Sequence, residues 1–326
     1  MRAAWYSKNG DARDVLVVGE LPAPTPGPGE VRVKVAASGV NPSDVKARGA
    51  RPLGAERVVP HSDGAGVIDA VGDGVSPGRL GERVWIWNGQ WQRPMGTAAE
   101  FIVLPEVQAV RLHESMDFAV AACFGIPLMT AVHAVQRLGD IAGKSVLVIG
   151  ASSAVDHYAA QLAVIGGARV IGTVGSESKA QHALAAGVDA TIDYKTEPLA
   201  ERVKQLTAGR GVDAIVDMDF STTVQLLAGG GVAPHGALVS YGSNVYEDIA
   251  VPYRALLWNS FSLHFFLVYD LAPQDRRIAI DRISRMTAGK ALSHTIGAKF
   301  GIDETAAAHE AVEAGKLIGN VIVEPG

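Results

Sequence analysis

Ser145-Val146-Leu147-Val148-Ile149-Gly150-Ala151-Ser152-Ser153-Ala154-Val155-Asp156 is the stretch from which this chain is best read. The first five residues make a short apolar run that ends at a glycine, the signature of a buried strand. Gly150 permits a tight turn, and an apolar helix follows to about residue 165. A strand, a turn and a helix in this order leave free amides at the helix start, where a doubly wound sheet holds a diphosphate. The usual fingerprint has three glycines at three-residue spacing. Here Gly150, Ser153 and Asp156 occupy those positions. The hydroxyl of Ser153 can hydrogen-bond a phosphate, but Asp156 brings a like charge. Two unit charges about 4 Å apart, at an effective dielectric of about 20, repel by roughly 4 kcal/mol as an upper guide. Three placements of Asp156 stay open: in the helix field stabilising an empty loop, out in solvent, or paired with His157.

Beyond this stretch the chain repeats strand and helix. Strands are predicted at 145–149, 168–174, 190–192, 212–216 and 237–241, and helices near 153–165, 179–186, 198–207 and 222–227. That alternation implies right-handed crossovers and a parallel sheet, a Rossmann-type domain expected over 122–266. The second strand ends Gly172-Thr173-Val174-Gly175-Ser176-Glu177-Ser178-Lys179. No acid stands at the strand end for ribose hydroxyls, whereas Ser176 and Lys179 suit a 2′-phosphate. A dinucleotide here is therefore expected to be NADPH rather than NADH.

The flanks differ in rhythm. Residues 30–36 read Glu-Val-Arg-Val-Lys-Val-Ala, a strict period of two. Short strands at 67–71 and 83–87 are punctuated by glycines, so a β-rich domain is expected over 1–121. Residues 119–138 read as helix with a break near Gly125 and Pro127. At the end, a helix near 304–314, Gly315 and a strand at 320–324 can rejoin the first domain, which then also takes 267–326. The overall class is α/β.

At 326 residues the chain suits two domains, and 48% hydrophobic with 19% charged residues is an ordinary globular balance. A net charge of -5 without any Lys/Arg cluster argues against nucleic acid and anionic membranes as partners. Cys123 is the only cysteine, so no internal disulfide forms, and it reads as a small buried hydrophobe. No signal peptide or membrane-length apolar run is seen; 256–269 is the most apolar segment but carries Asn259 and His264. A cytoplasmic protein is expected.

Several short motifs, in order, then resemble the zinc-independent medium-chain dehydrogenase/reductases, in the NADPH:quinone oxidoreductase and ζ-crystallin-like branch. They are Gly27-Pro28-Gly29-Glu30-Val31, Ser38-Gly39-Val40-Asn41-Pro42-Ser43-Asp44, Ser62-Asp63-Gly64-Ala65-Gly66-Val67, Gly81-Glu82-Arg83-Val84, Gly96-Thr97-Ala98-Ala99-Glu100-Phe101 and Pro127-Leu128-Met129-Thr130-Ala131. The resemblance implies a GroES-like catalytic domain beside the Rossmann domain. It implies no metal: zinc-dependent relatives have cysteine where Asn41 stands and histidine where Ser62 stands, and His61 is one position off and reads as a loop or pocket residue. It also implies catalytic roles for Asn41 and Asp44, which by composition alone are equally good turn residues, and for Thr130, which orients the cofactor. Cofactor contacts fall on Gly150, Ser152, Ser153, Ala154, Val155, Ser176, Lys179, Tyr194, Tyr241, Gly242, Ser243 and Phe266. Trp87, Asn88, Trp91, Phe265 and Tyr269 are candidates for a flat substrate pocket, against the plainer reading of aromatic core that holds for Trp85. The family's frequent aromatic near Lys46 is missing. A homodimer is the family habit.

Hydride transfer from NADPH to a quinone or an α,β-unsaturated carbonyl is the activity implied. Two alternatives keep the fold: a cleft repurposed for a non-redox reaction, and a binding or structural protein. Asp156 discriminates among them.

Overall fold

The computed structural model describes every residue except Tyr246 and Lys290. The chain groups into two units, Met1–Ile126 with Ile280–Gly326, and Pro127–Ala279.

In the first unit, β1 (Arg2–Trp5) pairs antiparallel with β2 (Val17–Glu20) across the short helix α1 (Ala12–Val15). The alternating segment becomes the long strand β3 (Glu30–Val40), with Val31, Val33 and Val35 buried and Lys34 exposed. Helix α2 (Pro42–Ala50) follows, started by a proline whose missing amide costs nothing in a first turn. Then come β4 (Asp63–Val71), β5 (Arg83–Ile86), β6 (Phe101–Pro105), β7 (Ala109–Arg111) and α3 (Phe118–Ala121). Strand β3 lies against β4 along one edge and meets β6 through residues 30–34. The inward valines of β3 close one core with Ile68, Val84, Ile86, Ile102 and Leu104.

The break expected near Gly125 and Pro127 is a π-helical turn, Phe124–Leu128. Proline cannot donate to a regular ladder, and the wider turn absorbs the fault. The second unit continues with α4 (Met129–Arg137) and then alternates: β8 (Ser145–Val148), α5 (Ala154–Ile165), β9 (Arg169–Val174), α6 (Glu177–Ala185), β10 (Ala190–Asp193), α7 (Leu199–Leu206), β11 (Val212–Asp217), α8 (Phe220–Ala228), β12 (Val232–Ser240), α9 (Tyr253–Trp258) and β13 (Ser262–Phe265). All six strands are parallel, in the order β10-β9-β8-β11-β12-β13. This is the Rossmann order, reversing direction at β8. Five strands were expected, and β13 was missed. Its four residues, Ser-Leu-His-Phe, carry too little apolar alternation, and only pairing with β12 makes them a strand.

Helix α10 (Pro273–Ala288) leads back to the first unit, followed by β14 (Ile296–Gly301), α11 (Thr305–Ala314) and β15 (Asn320–Glu324). Gly315 ends α11 with φ of 60°, the left-handed stop that glycine allows. As expected, the final strand returns: β15 pairs antiparallel with β3 through residues 38–40. Among the described residues no helix is long and apolar enough to cross a membrane.

Candidate active site

The start of α5 resolves the placement of Asp156. Its side chain is neither in solvent nor paired with His157: the residue is 0% exposed and turned under the loop. Tyr241 Oη donates to Asp156 Oδ2 at 2.6 Å, and Ser153 Oγ donates to the same atom at 2.7 Å. Ser153 also caps the helix, accepting from the Asp156 amide at 3.2 Å. Its hydroxyl proton is thus engaged by Asp156. Asp156 Oδ1 is buried without a partner. Burial raises the Asp156 carboxyl to about 7, outweighing the hydrogen bonds from Tyr241 and Ser153. Tyr241 is pushed up in turn, first by burial and then by the neighbouring carboxylate.

With the carboxyl turned inward, the face of the loop is left to the backbone. Ala154 and Val155 are the first two helical residues and are partly exposed. Their amides precede any intrahelical acceptor. Gly150 adopts φ of 75°, and its amide donates to Thr173 Oγ1 at 2.7 Å. A Cβ on Gly150 would meet Met218 Sδ at 2.6 Å, so only glycine fits this turn. The Ala154 and Val155 amides, in the positive field of α5, fit a diphosphate.

The end of β9 supplies the other half of such a site. Ser176 caps α6 and accepts from the Lys179 amide at 3.4 Å. Tyr194 packs its hydroxyl end against Gly175, where a Cβ would sit 2.6 Å from it. Lys195, which the sequence reading passed over, donates from Nζ to the Gly175 carbonyl at 2.6 Å. Its signal was a basic residue just past the end of a parallel strand. Glu177, the acid next to Ser176, is held by Gln181, whose amide donates to Glu177 Oε1 at 2.7 Å. Lys195 and Ser176 therefore stand at one strand end, with Lys179 in the first turn of α6.

The loop after β12 is anchored from both sides. Tyr241 donates its amide to the Asp217 carbonyl, and Gly242 accepts from the Phe220 amide. Gly242 passes so close to Met218 that a Cβ would lie 2.6 Å from its carbonyl oxygen. Ser243 caps a turn, accepting from the Val245 amide. The Phe266 ring packs edge-on against His133 at 4.6 Å. Thr130, in the first turn of α4, is buried with its hydroxyl unpartnered.

Asn41 and Asp44 meet in the first unit. Asp44 Oδ2 accepts from the Asn41 amide at 2.8 Å, so Asp44 closes the start of α2 as turn chemistry suggested. The Asn41 side chain donates to Asp63 Oδ2 at 2.9 Å, and the Ile126 amide donates to the same oxygen at 3.1 Å. Asp63 is the residue sequence reasoning missed: an acid inside a glycine-rich strand, fully buried, with Oδ1 unpartnered. Burial raises Asp44 to about 7 and Asp63 well above the carboxylate range, the latter also by repulsion from Asp44. Gly125 seals this cluster, since a Cβ there would lie 2.3 Å from Asp63 Oδ1 and 2.6 Å from the Ile86 carbonyl oxygen. Gly125→Ala is expected to cost about 3 kcal/mol by overpacking, read as a lower denaturant midpoint at unchanged slope.

His61 sits in the loop before β4, as expected. It is buried in a chain of hydrogen bonds: Ser38 Oγ lies 2.8 Å from Nδ1 and His309 Nε2 lies 2.9 Å from Nε2. Thr97 donates to the Asp63 carbonyl and Ser38 contacts Thr97 at 2.7 Å, so the protons run one way, from His309 through His61 and Ser38 to Thr97. Burial holds both imidazoles neutral, His309 at about 3.

The aromatic candidates separate. Trp91 lines a cavity in the first unit, whereas Phe265 and Phe266 line another in the second with His133 and His264. Trp87 donates its indole NH to the Val107 carbonyl at 3.2 Å, and Asn88 is buried. Tyr269 is buried near the start of α10, and Trp85 is core, as expected. Cys123 is likewise a buried free thiol.

Comparison with known proteins identifies the fold and the family. Residues 27–114 match the alcohol dehydrogenase GroES-like domain and residues 154–285 match the zinc-binding dehydrogenase family. A quinone oxidoreductase of Pseudomonas aeruginosa is 30% identical over 96% of both chains, and a 2-haloacrylate reductase of Burkholderia is 28% identical over 100% of this chain and 99% of its own. Among solved structures, the quinone oxidoreductase of Pseudomonas syringae superposes with a TM-score of 0.88 at 30% identity over 99% of both chains. A mycobacterial protein solved with NADPH gives 0.89 at 26% identity over 100% of both. The chain belongs to the medium-chain dehydrogenase/reductase family, among its quinone oxidoreductases.

Proposed function

We propose that the protein is an NADPH-dependent reductase that passes a hydride to a quinone or an α,β-unsaturated carbonyl without a metal. The observation that carries this reading is the inward turn of Asp156, which leaves the amides of Ala154 and Val155 to a diphosphate. The alternatives built on a blocked loop lose their footing with it. Bound NADPH supplies the hydride from its nicotinamide ring. The chain positions it: α5 amides at the diphosphate, Ser176, Lys179 and Lys195 at a 2′-phosphate, the Tyr241–Ser243 turn along the cofactor, and the unpartnered Thr130 hydroxyl as an orienting contact. Asn41 and Asp44 shape the acceptor side. Asn41 offers an amide where zinc enzymes offer a thiolate, and that amide is already committed to Asp63.

A quinone oxidoreductase and a 2-haloacrylate reductase among the relatives support both acceptor classes. We also read the protein as a cytoplasmic homodimer. Strand β13 is a sheet edge, and exposed Phe265 and Leu267 lie in and beside it, with Trp258 and Leu257 close by in sequence. Sedimentation at micromolar concentration is expected to give twice the chain mass; a monomer would remove the dimer from this reading. For the activity, menadione and methyl vinyl ketone are each expected to drive NADPH oxidation, followed by loss of its absorbance. No oxidation with any quinone or enone would overturn the reductase assignment.

A further inference from the structure

A cavity of about 330 Å³ opens in the first unit between the end of α2 and the loop after β5. Its size is that of a small-ligand site. Two guanidinium groups line it, Arg51 and Arg93, with Trp91, Tyr6 and Gln90, and no carboxylate is among its lining residues. Among the described residues neither arginine has an ion-pair partner. That is unusual for Arg93, which is only partly exposed. Burial lowers its proton affinity, and the charge of Glu30 offsets this only in part. A partly buried cation without a counterion is costly unless a ligand brings one.

The surrounding loop is built to hold these groups still. Asn88 and Gln92 both adopt left-handed backbone, at φ of 53° and 58°, without being glycine. Such residues persist only where other contacts impose them, and they concentrate at ligand sites. The contacts are present: Arg93 Nη2 donates to the Asn88 carbonyl at 3.1 Å, Gln90 donates to the Arg93 carbonyl at 2.9 Å, and Gln108 donates to the Trp87 carbonyl at 3.2 Å. Arg51 lies over the Trp91 ring, 5.5 Å from its centroid, so cation and flat apolar surface meet on one wall. The cavity adjoins the helix whose first turn carries the proposed acceptor-side residues. Ala47 of α2 lines it, Asn41 and Asp44 open the same helix, and the charge of Arg51 is felt at Asp44.

We propose that this cavity recognises a carboxylate on the acceptor, with Arg51 and Arg93 holding the anion and Trp91 the planar unsaturated system. The substrate class becomes a carboxylated enone or quinone. The inference deepens the reductase reading and rests on it for its catalytic consequence, but ligand binding tests it separately.

Benzoylacrylate and its methyl ester have the same enone and differ in charge. Wild-type protein is expected to reduce the acid with kcat/KM at least tenfold above the ester. Arg51→Gln and Arg93→Gln are each expected to bring that ratio close to one, with lysine at either position restoring part of it. In parallel, quenching of tryptophan fluorescence without NADPH should show the acid binding at least tenfold more tightly than the ester. Equal binding of acid and ester by wild-type protein overturns the proposal, as does a preference that survives both glutamine variants. If the acid binds selectively and loses that selectivity in the variants while no NADPH is oxidised, the subsite stands and the reductase reading falls.

Discussion

Asp156→Asn is expected to tighten NADPH binding by about ten- to a hundredfold at pH 8 and by little at pH 5.5. The variant keeps an oxygen to accept from Tyr241 and Ser153 but carries no charge beside the α5 amides. In the native protein burial raises this carboxyl to about 7. Below that pH the group is protonated and the loop is electrically neutral toward a diphosphate. Above it, the ionised group repels the phosphates through a poorly solvated path, which sets the scale of the effect. The ratio of native to variant affinity removes the titration of the cofactor itself. The same group makes stability pH-dependent. Its folded value lies above its unfolded one, so the native state holds the extra proton between about pH 4 and pH 7, and stability falls as pH rises through that window. The full loss is about 4 kcal/mol at 1.36 kcal/mol per unit. In the variant this component of the slope should vanish. Fluorescence titration with NADPH and denaturant curves at both pH values check the two halves. An unchanged affinity ratio between pH 5.5 and pH 8 would show that Asp156 does not sense the cofactor.

Removing the two lysines near the end of β9 should change which cofactor is used. Lys179→Ala with Lys195→Ala is expected to weaken NADPH by at least about a hundredfold, since charge-assisted hydrogen bonds contribute roughly 1.5–3 kcal/mol each. NADH lacks the 2′-phosphate and should be much less affected, so the preference for NADPH collapses. Lys195 already reaches this corner through the Gly175 carbonyl, and Ser176 fixes the first turn of α6 beside it. Dissociation constants for both cofactors, measured on native and doubly substituted protein, decide the matter. Parallel losses for NADPH and NADH would mean that the lysines support the fold rather than read the phosphate.

Most of the architecture was legible because it rests on local periodicity. The valines of β3 alternate with charge, and the strands of the parallel sheet are apolar runs separated by helices of ordinary length. Burial of a face requires that pattern, so it shows in any window of a few residues. Strand β13 escaped because an edge strand need bury only one face, and four residues carry little of that signal.

The amino-acid order by itself determined the two kinds of layer, the turn at Gly150, the break at Pro127, the return of the last strand and the residue types at the nucleotide loop. These follow from backbone chemistry and from side-chain alternation, which are properties of neighbours in sequence. Only tertiary structure decided the electrostatics of the site. The carboxyl of Asp156 faces Tyr241, 85 positions along the chain, and His61 meets His309 across 248. Asp63 takes its charge state from its burial beneath Gly125 and from Asp44, opposed by Asn41 and Ile126, none of them adjacent to it in sequence. A charge is set by what surrounds it in space, because solvation and Coulomb energy depend on distance and burial and not on chain position.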